Sequence, residues 1–147
     1  MRGVSKEELM NMFHTQAPIS RYFGMRMSFS ENGSAIVELP YNPNLDHALG
    51  GVHGGVYATM LDTAGWFTVA AARGDSSWVV TSEITVRYLE PVEKMSIRAI
   101  GKLIRQGKRQ DVAEMHLVDE RDRLVGHATG AFIIIPENPM SAQGETG

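Results

Sequence analysis

The chain has 147 residues, 43% of them hydrophobic and 21% charged, with a formal net charge of −3, which suits one soluble globular domain with its own core. The mild acidity and scattered aromatic residues exclude a basic, base-stacking groove for nucleic acid and any general attraction to an anionic membrane. The absence of cysteine excludes a disulfide framework, a thiolate metal site and a catalytic thiol.

Ser5 followed by Glu8 has capping-box spacing, and Leu9, Met10 and Phe13 complete a short amphipathic helix. His14, at its end, joins no visible constellation. No long apolar core or small-residue cleavage site marks these first residues as a signal peptide, so a cytoplasmic location is expected. After Pro18, a short helix or loop runs into the strand region, and Glu31-Asn32-Gly33 is a turn signal. Ser34–Leu39 alternates, with Ala35, Val37 and Leu39 on one face, and reads as a strand. Pro40 to Asp46 is a loop.

The stretch from His47 to Arg73 organises the rest. Gly54 to Ala72 is apolar or small almost throughout, and its one charge is Asp62. A helix apolar all round is a buried helix. Its length would also suit a membrane span. Asp62 at mid-span, costing about 2.5–3.5 kcal/mol there, the glycines at 54, 55 and 65, and the strands that follow argue against one.

Four strand-like segments come next. Trp78–Leu89 places Val80, Ile84, Val86 and Tyr88 on one face and Thr81, Glu83, Thr85 and Arg87 on the other. Met95–Ile104, Arg109–Val118 and Leu124–Ile135 also alternate, separated by polar turns at Gln106-Gly107-Lys108 and at residues 120–123. The expectation is an α+β domain over residues 1–136, with about five antiparallel strands wrapped round one long central helix. Residues 137–147 read as a disordered tail. One helix covers only one face of a sheet and is itself apolar on every side, so a homo-oligomer is expected.

His53-Gly54-Gly55 opens the helix. Uncovered backbone N–H groups at a helix start suit a developing oxyanion or polarised carbonyl; a glycine pair equally serves close packing. Asp62 reads either as an acid satisfied by a buried hydroxyl or as a general base or nucleophile in a partly desolvated cleft. Gly54 and Asp62 lie about 12 Å apart along one helix, too far for one carbonyl to touch both. If two such helices pack antiparallel across a dimer, Gly54 of one chain meets Asp62 of the other.

His-Gly-Gly opening an apolar helix, with an Asp seven positions beyond the second glycine, resembles the hotdog-fold acyl-CoA thioesterases of the phenylacetate-pathway (PaaI-like) subgroup. The likeness extends from about Ile19 to Ile135, through NPNLDHALGGVHGG, TSEITVRYLEP, the Gly107-Lys108-Arg109 turn and LVGHATGAFIII. It implies the hotdog fold, dimers or dimers of dimers, and hydrolysis of an acyl-CoA with no cofactor beyond the coenzyme A of the substrate. By position, it implies that the Gly54 N–H polarises the thioester carbonyl, that His53 supports that donor, and that Asp62 of the partner chain activates water or attacks. Thr81 falls where relatives place a Ser or Thr beside the acid. Six residues before His53, where relatives carry Asn or Gln, stands His47. Its imidazole can donate, accept or carry a proton, or be a solvated loop histidine.

For the rest of an acyl-CoA, the expected contacts are Gly55 at the helix start, Arg87, Lys108 and Arg109 (with Arg105) for the phosphates, and Trp66 with Tyr57, Phe67 and Trp78 for the acyl group. Solvated turns and ordinary core packing explain these residues as well. His47, His53 and Asp62 match no metal-ligand spacing, and no metal is expected. Two rivals share the fold: a non-catalytic acyl-CoA-binding or regulatory protein, which would not need Asp62, and an enoyl-CoA hydratase, which would carry a differently spaced helix-start motif.

Overall fold

The computed structural model describes residues 3–135; the segment 137–147, expected to be disordered, lies outside the described residues. Helix α1 (Lys6–Gln16) starts on a complete capping box between Ser5 and Glu8 and buries Leu9 and Phe13. Helix α2 (Pro18–Phe23) begins with Pro18 at its first turn and stops at Gly24, whose φ of 83° is left-handed. His14 is not idle: its Nε2 accepts the Met27 N–H at 3.0 Å and ties α1 to the first strand.

The strands are β1 (Arg26–Phe29), β2 (Ala35–Leu39), β3 (Trp78–Tyr88), β4 (Ile97–Gln106), β5 (Gln110–Asp119) and β6 (Leu124–Ile135). They form one antiparallel sheet in the order β1-β2-β4-β5-β6-β3. The count is six where about five were expected. The extra strand is the four-residue β1, an edge strand that pairs with β2 alone; it alternates, with Met27 buried between exposed Arg26 and Ser28, but follows the α2 segment so closely that the sequence reads the two together.

Between β2 and β3 the chain makes a short 3₁₀ turn (Pro43–Leu45) and then helix α3 (Gly54–Arg73). The helix ends at Gly74, whose left-handed φ of 66° lets its N–H reach the Ala70 carbonyl. Arg73, in the last turn, pairs with buried Asp111 at 2.8 Å, tying the helix end to β5. No helix among the described residues is long and apolar enough to cross a membrane.

The core lies between α3 and the sheet face it covers, where Met60, Leu61, Ala64 and Val69 meet Val37, Ala99, Met115, Leu117 and Phe132. The approach is close enough to exclude side chains. A Cβ on Gly101 of β4 would sit 2.5 Å from the Ala64 carbonyl oxygen, and one on Gly65 would sit 2.8 Å from Phe132. The opposite side of α3 carries a half-exposed stripe of Ala58, Thr59, Asp62, Thr63 and Trp66, spaced three or four residues apart as on one helical face. Asp62 belongs to the uncovered side of an otherwise buried helix.

A strict two-residue period places Thr81 opposite Ile84 and Val86, and Val80 beside them. The structure reverses the first half of that assignment. The register of β3 on β6 shifts between Thr81 and Glu83, and a bulge inserts one residue and flips the parity of everything beyond it. Val79 and Thr81 therefore share the helix-facing side with Ile84, Val86 and Tyr88, while Val80, Glu83, Thr85 and Arg87 face away. Without the bulge, the Thr81 hydroxyl would point away from α3.

Candidate active site

The start of α3 is set by His53. It is the N-cap in extended conformation, and its Nδ1 accepts the Gly55 N–H at 2.8 Å. An accepting Nδ1 is unprotonated, so the neutral ring carries its proton on Nε2. Gly55, expected to face substrate, therefore has its N–H committed to His53. The Gly54 N–H, which helix geometry leaves without an intrahelical acceptor, has no acceptor among the described residues. It is the donor that remains, at the positive end of the helix dipole.

The loop ahead of the helix is pinned from several sides. The His47 N–H donates to Gly51 O at 2.8 Å, the Val52 N–H to Val92 O at 2.9 Å, and the His53 N–H to Leu45 O at 3.1 Å. Gly50 turns the chain at a φ of 91°, and His47 Nδ1 accepts the Leu49 N–H. The carboxylate of Asp46 accepts the Tyr41 hydroxyl at 2.7 Å. These contacts place His47 and Gly54 on one cleft of about 260 Å³, shared with Tyr57 and Tyr88. Tyr88 went unnoticed in the sequence as a site residue. Its ring lies so close over Gly54 that a Cβ there would stand 3.2 Å from Cε1, and it packs on Tyr57 with ring centroids 5.6 Å apart.

Asp62 stands two turns further along. Its Oδ1 accepts the Thr81 hydroxyl at 2.8 Å. Burial pushes its carboxyl above the usual range, and the Thr81 hydrogen bond opposes that by favouring the ionised form. It lines a second cavity of about 350 Å³, walled mainly by apolar side chains: Trp66, Phe67 and Trp78 with Met12, Phe13 and Ile19. Trp66 is held in place by donating its indole N–H to Val79 O at 2.7 Å. This aromatic cavity can take an apolar group beside a carboxylate of raised proton affinity.

Within one chain, then, His47, His53 and Gly54 are assembled at the helix start, and Asp62 and Trp66 line a separate cavity, with Thr81 bonded to Asp62. The expected cationic contacts are not brought to either. Arg87 is exposed on the sheet face turned away from α3. Lys108 and Arg109 lie at the β4–β5 turn, where Arg73 from the far end of α3 reaches Gly107 and Asp111, about 30 Å from Gly54 along a 20-residue helix. Neither His47 nor His53 groups with Asp62 as a metal-ligand set among the described residues.

A long helix wrapped by an antiparallel sheet is the hotdog fold, and here it carries a free N–H at the helix start and a partly desolvated acid on its exposed stripe. Residues 49–126 match the family described as the thioesterase superfamily, and the chain belongs to that superfamily, whose chemistry is thioester hydrolysis. A Saccharolobus solfataricus protein with a provisional esterase designation is 28% identical over 124 residues, covering 84% of this chain and 88% of the relative. A Bacillus halodurans protein solved with CoA is 28% identical, with a TM-score of 0.77 over 88% of this chain and 87% of that one. The Escherichia coli PaaI protein of the phenylacetic acid degradation operon shares the fold at a TM-score of 0.75 and 20% identity, over 88% of this chain and 94% of that one.

Proposed function

We propose that this protein hydrolyses an acyl-CoA thioester to the free acid and CoA, as a PaaI-like thioesterase whose working site is shared between two copies of the chain. The observation that carries this reading is Asp62. It is an acid with raised proton affinity, bonded to Thr81, in an aromatic-lined cavity on the uncovered stripe of an otherwise buried helix. Stripe-to-stripe, antiparallel packing of two α3 helices brings the Gly54 cleft of one copy to the Asp62 cavity of the other, across the roughly 12 Å that separates them within a chain. A CoA-type substrate is supported by the Bacillus halodurans relative solved with CoA.

In this arrangement the Gly54 N–H polarises the thioester carbonyl and stabilises the oxyanion as it forms. Asp62 takes a proton from water, whose oxygen attacks the carbonyl carbon. The tetrahedral intermediate collapses with breakage of the C–S bond, and the proton held by Asp62 passes to the departing CoA sulfur. Asp62 acts as a general base, because a desolvated carboxylate binds a proton more readily at working pH. Thr81 orients it through Oδ1, leaving Oδ2 for water. His47 stands at the rim of the Gly54 cleft, where its imidazole can bond the thioester or the incoming water. The Trp66 cavity takes the acyl group, and no cofactor enters the reaction.

Free-thiol release from a panel of aromatic and aliphatic acyl-CoAs tests the chemistry, since a chain without cysteine contributes no thiol of its own. Asp62→Asn is expected to lose roughly 10²-fold or more. No release by the folded native protein from any of the esters would refute hydrolysis and leave acyl-CoA binding. Sharing is tested separately by pairing Asp62→Asn with Gly54→Pro, which removes the N–H at a first-turn position whose backbone suits proline and needs the Tyr88 ring to give by a few tenths of an ångström. Each variant alone should be inactive. Random reassortment of the two should restore about a quarter of native activity, through hybrids with one intact site. Mixtures that stay inactive would refute the shared site.

A further inference from the structure

The sheet face turned away from α3 carries a cluster that the hydrolytic reaction does not use. Glu114 and His116 are two residues apart on β5 and therefore point to the same side. His127 on β6 stands directly across from His116 in the strand register. Both imidazoles converge on one carboxylate oxygen: Nε2 of His127 lies 2.9 Å and Nε2 of His116 lies 3.2 Å from Glu114 Oε1. All three donor atoms lie within 4.8 Å of one another, and the two rings are 5.3 Å apart, tilted by 53°.

We propose that Glu114, His116 and His127 form a binding site for a borderline divalent transition metal, with Zn²⁺ as the best fit. Zinc bonds of about 2.0–2.2 Å to nitrogen and oxygen place tetrahedral donors about 3.3 Å apart. The two contacts to Glu114 are already within a few tenths of an ångström of that spacing, and small ring rotations close the third. Two imidazoles and a carboxylate suit Zn²⁺, Cu²⁺ or Ni²⁺, whereas Mg²⁺ and Ca²⁺ demand a larger set of oxygens. The backbone holds the donors in register, because β5 and β6 are paired along most of their length. Each side chain is about one-third exposed, so solvent has access to the remaining coordination positions. Lys102 stands opposite Glu114 on β4, exposed on a flexible stem that lets its ammonium turn outward. Lying across the sheet from Asp62 and Gly54, the ion would staple β5 to β6 and leave thioester hydrolysis alone.

The test uses the full-length, untagged protein after chelator treatment, titrated with Zn²⁺ by calorimetry and with Co²⁺ by visible absorption. The expected result is one ion per chain bound more tightly than about 100 µM, with cobalt ligand-field bands and a zinc-dependent rise in Tm. His116→Asn and His127→Asn should each weaken binding about tenfold or more. His47→Asn and Asp62→Asn should leave it unchanged, which separates this site from the hydrolytic one. Weaker binding by the native protein, or undiminished binding by a His116→Asn/His127→Asn double variant with a native circular-dichroism spectrum, would overturn the proposal.

Discussion

Gly101→Ala tests whether the contact between α3 and β4 governs both stability and catalysis. The added Cβ would meet Thr68 Oγ1 at 2.2 Å and the Ala64 carbonyl oxygen at 2.5 Å. The second neighbour is helix backbone and cannot rotate away. Thr68 can, but its hydroxyl donates to Ala64 O at 2.7 Å and accepts the Ala35 N–H at 2.9 Å, so moving it strands a donor at a buried strand position. Overpacking costs about 1–3 kcal/mol, and an unsatisfied buried N–H costs about 1–3 kcal/mol more. The better strand propensity of alanine returns about 0.5–1 kcal/mol. The expected net destabilisation is about 3 kcal/mol. Urea unfolding with an m-value of about 2 kcal/mol/M would register this as a midpoint about 1.5 M lower, with m unchanged. Asp62 lies two residues before Ala64 on the same helix, so acyl-CoA hydrolysis in the absence of denaturant should fall as well. A midpoint within about 0.3 M of native would mean that α3 lifts off the sheet freely, and would refute the reasoning.

Two further substitutions probe the acid itself. Thr81→Val removes the hydrogen bond that favours ionised Asp62. The carboxyl should rise further, and the acid limb of the pH–rate profile should move to higher pH, so that activity drops more at pH 6 than at pH 8; an unmoved limb would detach Thr81 from the chemistry. Asp62→Asn keeps the oxygen that accepts from Thr81 but never ionises. Burial raises the folded pKa of Asp62 above its unfolded value, so its contribution to stability is greatest below the unfolded pKa and is lost as pH rises through the folded one. The asparagine variant should therefore melt a few degrees higher than native at pH 7, in line with a gain of about 0.5–2 kcal/mol. That advantage should shrink as the pH falls from 7 through the raised folded-state pKa and be gone below the unfolded value of about 4; a difference in Tm that is independent of pH would contradict the assignment.

Elements whose information is local could be read from the chain alone. The capping box at Ser5, the apolar run of α3 opened by His53, and the alternation of β4, β5 and β6 were all legible. So was Asp62, because one charge in an apolar helix demands an explanation. What the sequence could not decide depended on events between distant residues. The bulge after Thr81 has no local signature, yet it turns that hydroxyl toward Asp62, because one inserted residue reverses every side chain beyond it. The commitment of the Gly55 N–H to His53, leaving Gly54 as the free donor, is a matter of ring orientation. Lys108 and Arg109 read as a basic cluster, but chain topology carries them to the opposite end of α3 from Gly54. Glu114, His116 and His127 meet only because β5 and β6 pair in a particular register. Periodicity in a chain shows which side of an element is apolar; only the pairing of strands and the packing of the helix decide which polar groups come within reach of one another.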